Sequence, residues 1–326
     1  MIRALTALLI ALLLAPGMAG PAEAADGRGR FGIRLMDAPV SRRNDPRAHY
    51  QIVDHLRPGA TIRRRIQVSN DSAAPLRIAM GVSPAEIREN RFTVTDGAAA
   101  NELPGWISFD PGSFEVPPYG RTVVRATIRV PDSAPEGERY GVIWAETGAP
   151  ASGAHNVGVV ARVGIRVYLD IGPGGEPPSD FRIERLIPAR TDDGRPQVLA
   201  LVRNTGERAL EMSGSLTLSN GPGGLRAGPF TAAPGTALAP GDQAQVRVVL
   251  DRRLPAGPWE VRLELASGRI RRTATATLTF PDDPGSMGRA VSFERGMPWL
   301  ILGALGLLIL GTAIFMFAMR QKRTAR

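Results

Sequence analysis

The sequence predicts an all-β protein built from two tandem immunoglobulin-like β-sandwich domains plus one C-terminal transmembrane helix. Three observations predict it. Between residues 31 and 280, apolar and polar residues alternate with a period of two and helical periodicity is absent. A pattern of strands and Pro/Gly turns recurs after about 120 residues. Residues 298–319 then run for 22 positions without a charge, enough at ~1.5 Å per residue to cross a ~30 Å hydrocarbon core.

The N-terminal segment reads as a signal peptide over 1–25. Arg3 gives a short basic start, residues 4–14 are apolar, and Ala22-Glu23-Ala24 fits a small-x-small cleavage site. At the other end, Arg320, Lys322, Arg323 and Arg326 follow the apolar stretch, and the positive-inside rule then puts the 320–326 tail in the cytoplasm. The expected protein is a single-pass type I protein of the cell membrane with an extracellular ectodomain. It contains no cysteine, so the ectodomain has neither disulfides nor thiolate chemistry. Its single lysine, Lys322, beside an Arg-, Ala- and Gly-rich remainder suggests a GC-rich bacterial genome.

The first sandwich is expected over 29–171. Residues 61–68, TIRRRIQV, alternate Ile62, Ile66 and Val68 with Arg63, Arg65 and Gln67, and only Arg64 breaks the pattern by pointing inward, as on a blunted edge strand. Asn70-Asp71-Ser72 makes a turn. A strand follows over 75–82, then a polar insertion over 83–105 with a short segment at 91–95. Residues 121–130 align Val124, Ala126, Ile128 and Val130 on one face, and 140–146 and 158–169 continue the alternation. The Gly/Pro-rich 171–179 closes the domain.

The second sandwich is expected over 180–281. Val124, Ala126, Ile128 and Val130 recur as Ala244, Val246, Val248 and Leu250, and Asn70 and Asn204 each end a strand. Trp144 and Trp259 fall on strands and are expected in the two cores. Residues 282–297 read as a short juxtamembrane linker, so the first sandwich is the distal one.

Phe31-Gly32-Ile33-Arg34, Asp45-Pro46-Arg47-Ala48-His49-Tyr50, Leu56-Arg57-Pro58-Gly59, Val68-Ser69-Asn70 and Gly141-Val142-Ile143 together resemble the peptidoglycan-binding domain of the WxL-interacting proteins, bacterial surface proteins with a signal peptide, two sandwiches, one anchor and a basic tail. The resemblance covers 31 to about 146. It implies peptidoglycan binding through the first domain and a protein partner through the second.

Catalytic patterns are missing from the sequence. There is no Gly-x-Ser-x-Gly, no Ser-x-x-Lys and no His-Glu-x-x-His, and Glu136 and Glu138 flank a turn. His49, His55 and His155 lack metal-ligand spacing, so no metal and no cofactor is expected. The formal charge of +9 is dispersed along the strands, which argues against a nucleic-acid partner. A binding surface is instead expected in the loop 37–55, where Arg42, Arg43, Arg47, His49 and Tyr50 concentrate. Arginine pairs with carboxylates and phosphates, and a tyrosine ring stacks on a sugar. Trp106 and Tyr119 are second candidates.

The function these features predict is non-enzymatic: a membrane-anchored bacterial cell-surface protein whose distal sandwich binds cell-wall peptidoglycan or an attached anionic polymer. The alternative is an envelope assembly or scaffold subunit that docks a secreted surface protein through a sandwich edge strand.

Overall fold

Alternation of apolar and polar residues is borne out as strand after strand in the computed structural model, which describes residues 31–95, 101–149 and 159–293. The expected signal peptide (1–25), apolar span (298–319) and basic tail (320–326) lie outside the described residues.

In the N-terminal half the strands are β1 (Phe31–Leu35), β2 (Ile52–Leu56), β3 (Thr61–Asn70), β4 (Leu76–Arg88), β5 (Arg91–Val94), β6 (Ile107–Asp110), β7 (Ser113–Val116), β8 (Arg121–Arg129), β9 (Gly137–Ala149) and β10 (Val159–Ile171). A one-turn helix, α1 (Leu103–Trp106), precedes β6. One sheet has the order β1-β3-β8-β6, and the other β2-β10-β9-β4-β5 with β7 also on β4. Their inner faces meet over Ile66, Ala126 and Ile128 from the first sheet and Ile143, Ile165, Val167 and Leu169 from the second, the two-layer arrangement of a sandwich.

In the C-terminal half the strands are β11 (Phe181–Arg190), β12 (Pro196–Asn204), β13 (Leu210–Glu211), β14 (Ser213–Ser219), β15 (Ala227–Thr231), β16 (Ala237–Leu238), β17 (Gln243–Val249), β18 (Pro258–Ser267), β19 (Ile270–Thr279) and β20 (Val291–Ser292). Sheets β17-β12-β11-β20 and β15-β14-β18-β19, with the short pair β13-β16, enclose one core around Trp259, Phe181, Leu186, Val246 and Leu263. Every sheet draws its strands from one half only.

The repeat extends to single hydrogen bonds. Asn70, 1% exposed, donates through Nδ2 to the carbonyls of Ala74, Val116 and Pro117 at 2.7, 3.2 and 3.0 Å. Asn204, also 1% exposed, donates to Arg208, Leu238 and Ala239 at 2.8, 3.2 and 3.0 Å. Each amide thus ties the end of one strand to the turn that leads into the next. The inward rows Val124/Ala126/Ile128/Val130 and Ala244/Val246/Val248/Leu250 are all buried.

Three local expectations change. β3 lies between β1 and β8, so Arg64 does not blunt an edge; it donates to Asp54 at 2.5 Å, tying that sheet to β2. The polar insertion begins later than expected, because β4 continues to Arg88 and turns through Glu89 and Asn90, both at positive φ, into β5. The stretch read as a linker at 282–297 contains β20, whose Val291 and Ser292 pair with Leu186 and Arg185 of β11.

Trp259 is fully buried in its core, whereas Trp144 is not. Ile143 and Ala145 take the inward positions of β9, and Trp144 lies half-buried on the outer face, with Gly81 and Gly164 as its cross-strand partners. A Cβ on Gly164 would stand 2.7 Å from the Trp144 ring and 2.4 Å from Val142. Only glycine leaves room there.

Candidate functional site

The loop singled out in the sequence runs along the junction between the two halves. Asp45 caps the short turn Pro46–His49, accepting from the Arg47 amide at 3.0 Å, and also takes the Arg47 guanidinium at 3.1 and 3.3 Å. Burial works against the Asp45 charge, but the Arg47 hydrogen bonds and charge outweigh it and hold the carboxyl below its usual range.

Of the five candidate residues, Arg42 and Arg47 are buried, at 6% and 8% exposure. Arg42 pairs with Glu176 at 2.8 Å and approaches Asp54 at 4.0 Å. Arg43, His49 and Tyr50 are exposed, and His49 Nε2–H donates to the Arg43 carbonyl at 3.0 Å. Arg47 and Tyr50 do come together, on one wall of a groove of about 490 Å³ whose other wall is Glu211, Gly214, Leu265 and Gly268 of the C-terminal half. Partial burial and the nearby Glu211 carboxylate raise the Tyr50 pKa. Of the second candidates, Trp106 is buried beneath the Arg139 guanidinium, 5.8 Å from its ring, and Tyr119 is exposed at a turn with φ +54°.

The centre of the junction is Arg208, which no motif or spacing in the sequence singles out. It is 3% exposed and donates to Glu138 at 2.7 Å, to Glu176 of the connecting segment and to the Asp54 carbonyl at 3.4 Å. Burial opposes its charge, and the Glu138 and Glu176 carboxylates more than compensate, so its pKa is raised. Glu138 also accepts from the Ala209 amide and the Tyr140 hydroxyl, each at 2.7 Å. Asp54, deep in the same network, is pushed up by burial against the pull of Arg64, Arg42 and Arg208. His55 donates to Asp170 at 2.6 Å beside it.

Further contacts flank this network. Glu211 accepts from Gln51 and Arg166, the Ala237 amide donates to the Asn90 carbonyl at the β4–β5 turn at 2.8 Å, and Tyr168, Phe92 and Tyr140 stack with ring separations of 5.2–6.5 Å against Ala209. Among the described residues no group of three or more His, Cys, Asp or Glu is arranged to hold a metal ion.

A second feature adjoins the junction. β10 pairs with β9 in unbroken register over all thirteen residues, from Val159↔Ala149 to Ile171↔Gly137. On its other side β2 pairs in parallel only from Val167↔Ile52 to Ile171↔Leu56. Along 159–166, no described strand occupies that side. The inward row opens further towards the start of the strand: Ile165 and Val167 are buried, but Ala161 and Val163 are half-buried, as are Phe31 and Ile33 of the neighbouring β1. Val160 is 55% exposed.

No protein-family model matches the chain, and no curated protein matches it. Solved structures of similar fold include the class 5 fimbriae chaperone CfaA, 13% identical over 77% of this chain and 99% of that chain, TM-score 0.37. The E. coli chaperone DraB is 13% identical over 82% and 99%, TM-score 0.38. The Salmonella enterica SafA pilin in complex with the SafB chaperone gives 10% over 76% and 97%, TM-score 0.41.

The ion pairs of Arg42 and Arg47 correct the main functional expectation. None of the three matched structures is a membrane-anchored binder of peptidoglycan or an anionic wall polymer; they are a class 5 fimbriae chaperone, a chaperone and a pilin–chaperone complex. Among the described residues no helix is long and apolar enough to cross a membrane, and the apolar stretch 298–319 lies outside them. Two of the three arginines expected to face the wall are turned into ion pairs inside the protein.

Proposed function

We propose that the chain is a non-enzymatic assembly or scaffold subunit of the bacterial envelope that docks a secreted protein partner by strand addition to β10. On this reading it is two immunoglobulin-like sandwiches in tandem, 29–171 and 180–281, held at a set angle by the Arg208 network. The observation that carries the proposal is the one-sided pairing of 159–166. An unpaired edge offers the N–H and C=O of every second residue to an incoming strand. Proteins blunt such edges with bulges, prolines or short strands, and β10 uses none of these.

β19 is also an edge strand, but in its inward row Ala274 and Leu278 are buried on either side of the partly buried Ala276, which packs against the core. At β10, by contrast, Ala161, Val163, Phe31 and Ile33 remain partly open to solvent. A partner strand would cover them with its own alternate apolar residues. Each fully buried aliphatic side chain contributes about 1.5–3 kcal/mol, in addition to the hydrogen bonds of the backbone ladder.

A photo-crosslinker in place of Val160, in the full chain expressed in its own cells, tests the reading. The expected result is one adduct of defined mass whose attached peptide is an extended segment of alternating apolar residues, with no adduct from the same probe at Thr275 on β19. Equal labelling at both positions, or none at Val160, would overturn it.

A further inference from the structure

The outer face of sheet β1-β3-β8-β6 carries arginine at six positions: Arg34 on β1, Arg63 and Arg65 on β3, and Arg121, Arg125 and Arg129 on β8, all exposed. Only two have a carboxylate within ion-pair distance among the described residues, Arg65 with Asp37 at 2.6 Å and Arg125 with Asp110 at 3.7 Å. Arg34 is held by Gln67 at 2.8 Å. Arg65 and Arg125 stand directly opposite each other in the ladder, an arrangement of like charges that costs stability. At ~3.4 Å per residue the β8 arginines alone extend over about 27 Å. The outer face of β18 is built differently: Glu260, Arg262 and Glu264 alternate in sign, and Arg262 pairs with Glu264 at 2.8 Å.

We infer that this face is a docking surface for an acidic polypeptide surface, and that on the proposed partner it would be the second contact beside the strand added at β10. The inference rests on that reading for its partner. Charge complementarity selects the occupant, since a face with this excess of positive charge steers and orients an acidic partner. Two alternatives fit less well. The face exposes one large apolar side chain, Val123, so nothing on it would insert into a bilayer. It bears no aromatic ring on which a nucleic-acid base would stack. β1 is at once the edge of this sheet and the neighbour of β10, so a partner seated on the β10 edge reaches Arg34 without crossing the sandwich.

The test uses poly-L-glutamate as the probe, with the full chain at low and at high salt. The variant carries Arg63→Gln, Arg121→Gln and Arg129→Gln. A control with Arg182→Gln, Arg226→Gln and Arg253→Gln removes equal charge from exposed positions elsewhere. Binding of the unmodified chain is expected to weaken steeply with salt, to fall about tenfold or more in the face variant, and to change little in the control. Equal loss in both variants, or no binding at low salt, would overturn the inference. So would tighter association with phosphatidylglycerol vesicles that the face variant abolishes, since the occupant would then be a lipid surface. These substitutions leave β10 untouched, so crosslinking at Val160 succeeds or fails independently of this result.

Discussion

Val167 of β10 lies opposite Ile52 of β2, and no residue of β10 before it has a described partner on that side. The strand therefore changes character partway along its length, from an interior member of its sheet to an open edge. Beyond the buried Ile165, its inward side chains become partly exposed, from Val163 towards the start of the strand.

The Arg208 network sets the relation between the halves. Arg208→Met would leave the buried Glu138 without its cation, while Glu176 keeps its pair with Arg42. The expected loss is about 3–5 kcal/mol in chemical denaturation. Adding Glu138→Leu removes that orphaned charge, so the double variant is expected to recover part of that loss. A double variant no more stable than Arg208→Met would argue against the ion pair as the cause.

Asn70→Ala and Asn204→Ala each remove an amide that serves three buried or part-buried carbonyls. Each is expected to cost about 2–4 kcal/mol, the desolvation of more than one group left without its donor. Equilibrium denaturation gives the values, and similar losses are expected in both because the geometry repeats.

Gly164→Ala places a Cβ against the Trp144 ring and Val142. The overpacking is expected to cost about 1–3 kcal/mol and to displace the indole from its hydrogen bond with Ser83 Oγ at 2.9 Å. A shift in tryptophan emission relative to the unmodified chain would register the movement, and unchanged emission would contradict the contact.

Acid acts on the loop through Asp45. Its carboxyl is held below its ordinary value of 3.8. A depressed acid contributes stability that is fully present above its unfolded value and is lost as the pH falls through the folded one. Asp54, raised by burial, works in the opposite sense and costs less as it protonates. Asp45→Asn is therefore expected to flatten the fall in stability between roughly pH 4 and pH 2, measured by denaturation across that range.

Much of the fold was legible because alternation reports which way a side chain faces. The inward rows Val124 to Val130 and Ala244 to Leu250 needed only the sequence and its repeat. Alternation says nothing about which strands are neighbours, which is why Arg64 was expected on an edge and Trp144 in a core. The paired state of Arg42 and Arg47 and the role of Arg208 were hidden for a related reason. Two of Arg208's carboxylates, on Glu138 and Glu176, lie 70 and 32 residues away, and only the packing of the halves brings them together. The open edge of β10 is likewise a property of where β2 stops, not of β10 itself.

Amide hydrogen exchange along β10, measured by NMR on the full chain without partner, tests the central claim most directly. The account predicts fast exchange for alternate amides over 159–166, those facing away from β9, and slow exchange from Val167 onward where β2 pairs. Uniform protection across the whole strand would mean that the edge is already filled within the chain, and would contradict docking by strand addition there.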